Sequence, residues 1–140
     1  MTVTSVLVGL FSGVIGWLLT EFVAKPLRRA LDLAAEARAS LIEYANVSAR
    51  FNSRGKSTGL SDSEEKRLAE AEKKYRQLSA EFYAFAQTDR AAHFVLKHLS
   101  LDAQGIGTAL MQLSNNLGQD GGGRNSATKE AKKELKVTLV

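Results

Sequence analysis

The chain has no cysteine, one proline and two histidines among its 140 residues. Without cysteine there is no disulfide, no thiolate site for a metal and no cysteine nucleophile. The absence also suits a soluble part kept in a reducing, cytoplasmic compartment. The one proline is Pro26, and strand-like runs of Val, Ile, Thr and Tyr are scarce beyond the N-terminus. Ala, Leu, Glu, Lys, Arg and Gln dominate instead, a helix-forming composition that predicts an all-α protein. Beyond the apolar N-terminus roughly 115 residues remain, enough for one modest core. Net charge is a mild +4. From Gln119 onward there are five Lys/Arg against three Asp/Glu, an excess too small to predict a nucleic-acid partner and equally suited to an anionic membrane surface.

What the chain does have is a long apolar opening. From Thr2 to Ala24 the only charged side chain is Glu21. As a helix this segment spans roughly 33 Å, close to the thickness of a bilayer's hydrocarbon core. A cleaved signal would carry a charged leader and a small-residue cleavage site. Here the run ends in Lys25-Pro26-Leu27-Arg28-Arg29. The reading is an uncleaved transmembrane anchor over residues 1–25. Lys25, Arg28, Arg29 and Arg38 place its C-terminal side in the cytoplasm and its N-terminus outside. Lys25, Arg28 and Arg29 are candidate membrane-surface residues. Each cation near an anionic leaflet contributes about 1 kcal/mol, so the three together hold this end with roughly 3 kcal/mol.

Inside the span, Ser5, Gly9 and Gly13 recur every four residues, and Gly9 to Gly13 is a GxxxG. Ser12, Gly16 and Thr20 form a second small-residue row beside it. Such rows let helix backbones approach closely, so these six are the candidate helix-association residues. Glu21 precedes Lys25 by four residues, the favourable order for an ion pair at the interface. Trp17 suits an interfacial or packing role. Pro26 either opens the next helix or kinks a continuous one.

Residues 26–118 are predicted to form a small cytoplasmic bundle of about four helices. Leu27, Leu31, Ala34, Leu41, Ala45 and Ser48 trace an amphipathic helix to about Phe51, widened by Leu33, Ile42 and Ala49 and interrupted by Arg38. A polar loop, Asn52 to Leu60, follows. Ser61-Asp62-Ser63-Glu64 is a capping box. It opens the most regular helix of the chain, with Leu68, Ala71, Tyr75, Leu78, Phe82 and Phe85 at steps of three and four. Thr88-Asp89-Arg90 reads as a cap or bend, followed by a short apolar helix with Phe94, Val95, Leu96 and Leu99. Asp102 starts a last helix carrying Ala103, Ile106, Leu110, Leu113 and Leu117, which Asn115, Asn116 and Gly118 end. Helix two and the long helix are expected to pair antiparallel across the loop. Gly121-Gly122-Gly123 makes residues 119–140 a flexible basic tail, with 127–139 transiently helical or ordered only with a partner.

No catalytic residue, cofactor site, metal site or small-molecule substrate emerges. Gly55-Lys56-Ser57 resembles the end of a P-loop, but the position five residues before Gly55 is Arg50, and the strand and helix contexts are missing. Arg90, His93 and His98 invite comparison with the Arg-x4-6-His motif of HEPN ribonucleases. The spacing fails, because two and seven residues separate Arg90 from the histidines. His93 and His98, five apart, do not share a face as a metal pair would. Glu64, Glu65, Glu70 and Glu72 lie among Lys66, Arg67, Lys73 and Lys74 as a solvated face. Asn46-Val47-Ser48 matches a glycosylation sequon on the side predicted to be cytoplasmic. Tyr44, Asn46, Gln87, Asn115 and Asn116 fit helix-to-helix hydrogen bonds better than a polar site.

The run Gly16-Trp17-Leu18-Leu19-Thr20-Glu21-Phe22-Val23-Ala24-Lys25-Pro26-Leu27-Arg28-Arg29-Ala30-Leu31-Asp32-Leu33, with Ala84-Phe85-Ala86-Gln87 and Leu113-Ser114-Asn115, resembles a group of small, uncharacterised bacterial single-pass inner-membrane proteins. The likeness covers about Val6 to Leu117. It implies a bacterial inner-membrane location and a cytoplasmic helical domain, and it brings no activity. The expectation is a non-enzymatic interaction or accessory protein, either self-associating or part of a larger inner-membrane complex, with the lipid bilayer and its anionic leaflet among its partners. The alternative is an oligomeric membrane effector or pore with a cytoplasmic sensor or assembly domain. An enzyme would need a convergent polar pocket that the residues do not display.

Overall fold

The computed structural model describes residues 3–47, 59–98, 100–118 and 121–136. Among these the protein is all-α: α1 (Val3–Leu19), a π-helical turn (Thr20–Ala24), α2 (Lys25–Glu43), α3 (Asp62–Thr88), α4 (Arg90–His98), α5 (Ala103–Asn116) and α6 (Gly121–Glu134). The first three form one continuous helix, since Leu19, Ala24 and Lys25 all keep right-handed helical backbone angles. Pro26 explains the π turn. Proline has no N–H, and its ring collides with the carbonyl four residues back, here that of Phe22. The backbone N–H of Lys25 instead bonds the carbonyl of Thr20, five residues back. The widened turn relieves the collision just before the proline, so the helix passes Pro26 without ending.

Cross-helix partners define how the remaining helices pack. The Tyr75 hydroxyl donates to the Ser40 carbonyl (3.1 Å) and Lys74 pairs with Glu36; Asn46 and Val47 lie beside Glu64 and Arg67 at one end, and Ala30 and Ala34 beside Phe82 at the other, so α2 and α3 run antiparallel, as the sequence predicts. The Ser79 hydroxyl donates to the Gly107 carbonyl (2.7 Å) and the Ser114 hydroxyl to the Glu72 carbonyl (3.0 Å), which sets α5 antiparallel to α3. Gly105 lies against Glu134 and Gly123 against Asn116, so α6 runs back along α5. Arg38 Nε donates to the Leu135 carbonyl (2.9 Å) and an Arg124 guanidinium N–H to the Ala45 carbonyl (3.3 Å), tying α6 to α2. The ring α2–α3–α5–α6 therefore closes as an up-down-up-down four-helix bundle. The short α4 caps the end nearer α1, packing on the π turn, α2, α3 and α5.

One contiguous core fills the bundle. It takes Leu33, Ala37 and Leu41 from α2, Tyr75, Leu78, Phe82 and Phe85 from α3, and Ile106, Leu110, Leu113 and Leu117 from α5 and its end. The last wall supplies Ala127, Ala131 and Leu135. The capping box forms as predicted: Glu64 N–H reaches Ser61 Oγ (3.4 Å) and Ser61 N–H reaches Glu64 Oε2 (2.8 Å). Asp102 caps α5 through the Gln104 N–H (3.1 Å). Ser100, at φ 60°, closes α4. Its N–H bonds the Lys97 carbonyl (3.0 Å) and that of Leu101 bonds the Leu96 carbonyl (2.9 Å), a Schellman arrangement with serine where glycine is usual.

Three expectations are corrected. Helix two ends at Glu43 with a turn over 44–46 rather than near Phe51; residues 48–51 and most of the polar loop, 52–58, lie outside the described residues. The short helix after Asp89 is a cap and not the fourth wall. That wall comes from the segment read as a flexible tail over 119–140. Gly121–Glu134 is helical, and Ala127, Ala131 and Leu135 are 5%, 1% and 0% exposed. Their spacing of four puts them on one stripe that joins the core as α6 packs on α5.

The closest approach to backbone occurs at Gly107, where a Cβ would come within 3.3 Å of the Ser79 carbonyl oxygen and 3.4 Å of the Tyr83 ring. The nearest atom is backbone and cannot swing aside, so Gly107→Val is expected to destabilise the bundle by about 1–3 kcal/mol. Leu135→Ala is expected to cost about 2–5 kcal/mol, the usual range for emptying a buried leucine site. Denaturant unfolding of the full chain in detergent, followed by circular dichroism, measures both. A tail without tertiary contacts would make Leu135→Ala silent.

Candidate functional site

The residues predicted to associate helices lie on one side of α1. At 100° per residue, Ser5, Gly9, Ser12, Gly13, Gly16 and Thr20 fall within about 100° of circumference. Leu7, Leu10, Phe11, Val14, Trp17 and Leu18 occupy the rest. A Cβ built on Gly9, Gly13 or Gly16 would meet nothing within 4 Å, so no part of the described chain fills this face. Both hydroxyls described on it turn back on their own helix. Ser12 Oγ donates to the Gly9 carbonyl (3.0 Å) and Thr20 Oγ1 to that of Gly16 (2.8 Å). The face is therefore small and smooth, with its polar hydrogens spent within the helix.

The rest of the segment is bare. One helix among the described residues, Leu7–Glu43, contains a window long and apolar enough to cross a membrane, and none of that window is buried. Leu7, Val8, Leu10, Phe11, Val14, Ile15, Trp17, Leu18, Leu19 and Phe22 are each 40–69% exposed. Leaving such side chains in water forfeits on the order of 10 kcal/mol or more, comparable with the whole stability of a small domain. Where the apolar run ends, Glu21 and Lys25 pair at 2.6 Å across the π turn. Trp17 and Phe22 meet edge-to-face with ring centres 6.4 Å apart. Arg28 and Arg29 follow on the exposed side of α2. The predicted collar and interface pair are thus gathered within two turns of helix.

Among the described residues the bundle shows no comparable face. An apolar cavity lined by Ala30, Ala34, Phe82, Leu96, Leu101, Ala103 and Ile106 holds about 10 Å³, room for at most one water. A shallow recess of about 110 Å³ lies at Asn46, Val47, Glu64 and Arg67, beside the undescribed residues 48–58. The polar residues near the apolar stripes do not converge. Tyr44 stacks edge-on to Tyr75 with centres 6.0 Å apart, Asn116 donates to the Gln112 carbonyl (2.7 Å), and Gln87 is exposed. His98 Nδ1 lies 3.0 Å from the Phe94 carbonyl. His93, on another face of α4, has a buried Nδ1 with no hydrogen-bond partner among the described residues. No group of three or more metal-ligating side chains forms among the described residues, and the P-loop-like Gly55-Lys56-Ser57 lies outside them.

Sequence reasoning passed over the residues that lock helix to helix: Arg38, Arg124, Gly105 and Gly107. Arg38 was visible as a break in an apolar stripe and as one of the cations that set orientation, and neither reading points to a contact across helices. Comparison with known protein families, curated proteins and solved structures finds no match to this chain.

Two groups on the α2–α3 seam titrate at high pH. Burial pushes the Tyr75 phenol well above its ordinary value, and the hydrogen-bonded Glu36 carboxylate raises the Lys74 ammonium. A raised folded-state value stabilises below the unfolded value and is lost as pH climbs past it. Stability is therefore expected to hold to about pH 10 and to fall above it. The half-exposed Lys74–Glu36 pair adds little. Tyr75→Phe is expected to cost about 1 kcal/mol at pH 7, where it loses the bond to Ser40. Its deficit should shrink and then reverse on titration into alkali. Unfolding curves of both proteins across pH 7–11.5 check this.

Proposed function

We propose that this chain is a non-enzymatic, single-pass membrane protein of the bacterial inner membrane, with its N-terminus outside and its helical bundle in the cytoplasm. Its anchor associates with a second copy or with other helices of a larger complex, and its bundle is a rigid adaptor held at the membrane surface. The observation that carries the reading is the α1 helix: apolar, bare on every described side, and small along one face only. Lipid can cover the bulky sides, whereas a smooth face gains most from another helix, because close backbone approach is what drives association where no hydrophobic force operates. The cations at Lys25, Arg28 and Arg29 support the cytoplasmic assignment.

The pore alternative finds less support. A conducting lumen needs polar groups aimed inward, yet the Ser12 and Thr20 hydroxyls bond their own helix and Glu21 is engaged by Lys25.

The test is the mass of the full-length protein in lipid discs or mild detergent, with copurifying proteins identified. The expected species is a defined homo-oligomer or a stoichiometric complex. Gly9→Leu with Gly13→Leu is expected to weaken it at least tenfold, about 1.4 kcal/mol, while the bundle's melting stays unchanged. A monomer without companions, indifferent to both substitutions, would overturn the association reading.

A further inference from the structure

We infer that α4 is a membrane-interfacial helix that lays its Phe94 face on an anionic leaflet beside the anchor. The inference rests on the membrane reading above and adds a second lipid contact, made by the cytoplasmic domain itself. The first observation is the sorting of side chains on α4. Ala92 and Leu96 are buried against the bundle, while Arg90, Ala91, Phe94, Lys97 and His98 are the exposed positions. At 100° per residue these five occupy about 120° of the helix. Phe94, 64% exposed, sits in the middle of that face, with cations one turn before it and one turn after. Arg90 to His98 contains two cations and no acid.

A surface phenylalanine on a water-facing bundle would be unremarked if alone. The placement of this one gives it meaning. α4 packs directly on the π turn at Thr20–Ala24, the point where the apolar helix ends and the basic collar begins. Its depth is therefore that of the anchor's end, level with the Trp17–Phe22 pair and Lys25, where headgroups would meet acyl chains. An aromatic flanked by cations at that depth can bury its ring at the acyl boundary while the cationic heads remain among phosphates. Lys97 also lies in the last turn of α4, where positive charge suits the helix dipole. That accounts for its sign but not for the exposed ring between it and Arg90. The Schellman closure at Ser100 and the packing of α4 on four other elements hold this face in a fixed orientation relative to the anchor. Charge complementarity and continuity with the anchor thus name the occupant as an anionic bilayer surface.

The experiment uses the full chain in lipid discs, with lipids brominated on the acyl chains as quenchers. Trp17 is the sole tryptophan, so the native protein reports on the anchor. Trp17→Phe with Phe94→Trp reports on α4 at an exposed position that accepts the larger ring. Discs are made from phosphatidylcholine alone and from equal parts of phosphatidylcholine and phosphatidylglycerol. The expected result is blue-shifted emission at position 94 with most of its intensity lost to brominated lipid, more in the anionic discs. Arg90→Gln with Lys97→Gln is expected to bring the anionic discs down to the level of the neutral ones. Quenching of Trp17 with none at position 94 would overturn this inference and leave the anchor reading standing. Absence of quenching at both positions would remove the anchor reading and this one with it. Blue-shifted emission at position 94 that resists brominated lipid and grows with the protein-to-lipid ratio would assign the face to a second copy, and would equally overturn the lipid contact.

Discussion

The structure depends on how one helix gets past Pro26. An α-helix cannot carry proline in its interior without losing a hydrogen bond and meeting a clash one turn back. Here the preceding turn widens to a π geometry, and Leu7–Glu43 continues as a single 37-residue helix. The apolar segment and the first wall of the bundle are therefore one rod. No flexible linker separates them, so the direction of α1 sets the axis of α2, and α2 sets the positions of α3 and α6. π turns of this kind recur at functional positions in other helices; in this chain the turn is also the surface on which α4 rests.

Closing the bundle from the other side takes a helix with poor local prospects. α6 begins with three glycines, each disfavoured relative to alanine by about 1 kcal/mol in a helix. Burial of Ala127, Ala131 and Leu135 against the core offsets that cost. The free carbonyls at its C-terminal end find a cation: Arg38 reaches across from α2 to Leu135, a favourable use of positive charge at a helix terminus. The arginine that spoils the α2 stripe as a zipper is thus what fastens the last wall. Serine has a parallel role inside the bundle. Ser79 and Ser114 are buried, and each gives its hydrogen to a carbonyl of the facing helix. Such bonds satisfy groups that would otherwise be costly to bury, and they set the register of α3 on α5.

Under the proposed reading, rigidity is what the fold supplies to function. A bundle fused to its anchor presents the same surfaces at a constant height and tilt above the bilayer. If the anchors associate through their small-residue faces, the bundles are brought side by side in a fixed orientation, which suits an adaptor better than a tethered, freely rotating domain would.

Much of this was legible in local sequence. The apolar run, the row of Gly9, Gly13 and Gly16, the Glu21–Lys25 pair, the capping box at Ser61 and the stripe from Leu68 to Phe85 all depend on spacing along one helix. Neighbours three and four residues apart are set by helical geometry alone. The outcome at Pro26 depended on more, because proline permits either a new helix or a continued one, and packing of α4 against the π turn bears on only the latter. Phe94 was legible only as part of a short apolar helix, because hydrophobicity does not reveal which side of such a helix is covered. The fourth wall was hidden for a similar reason: three glycines argue against a helix locally, and only packing on α5 and the assembled core supplies the burial that outweighs them. By itself, then, the sequence determined the helices whose amphipathic pattern is strong and the apolar segment whose length is unmistakable. The tertiary structure decided the partners, the closing helix and the exposed face of α4, because those depend on contacts between residues far apart in the chain, whose energies no local pattern encodes.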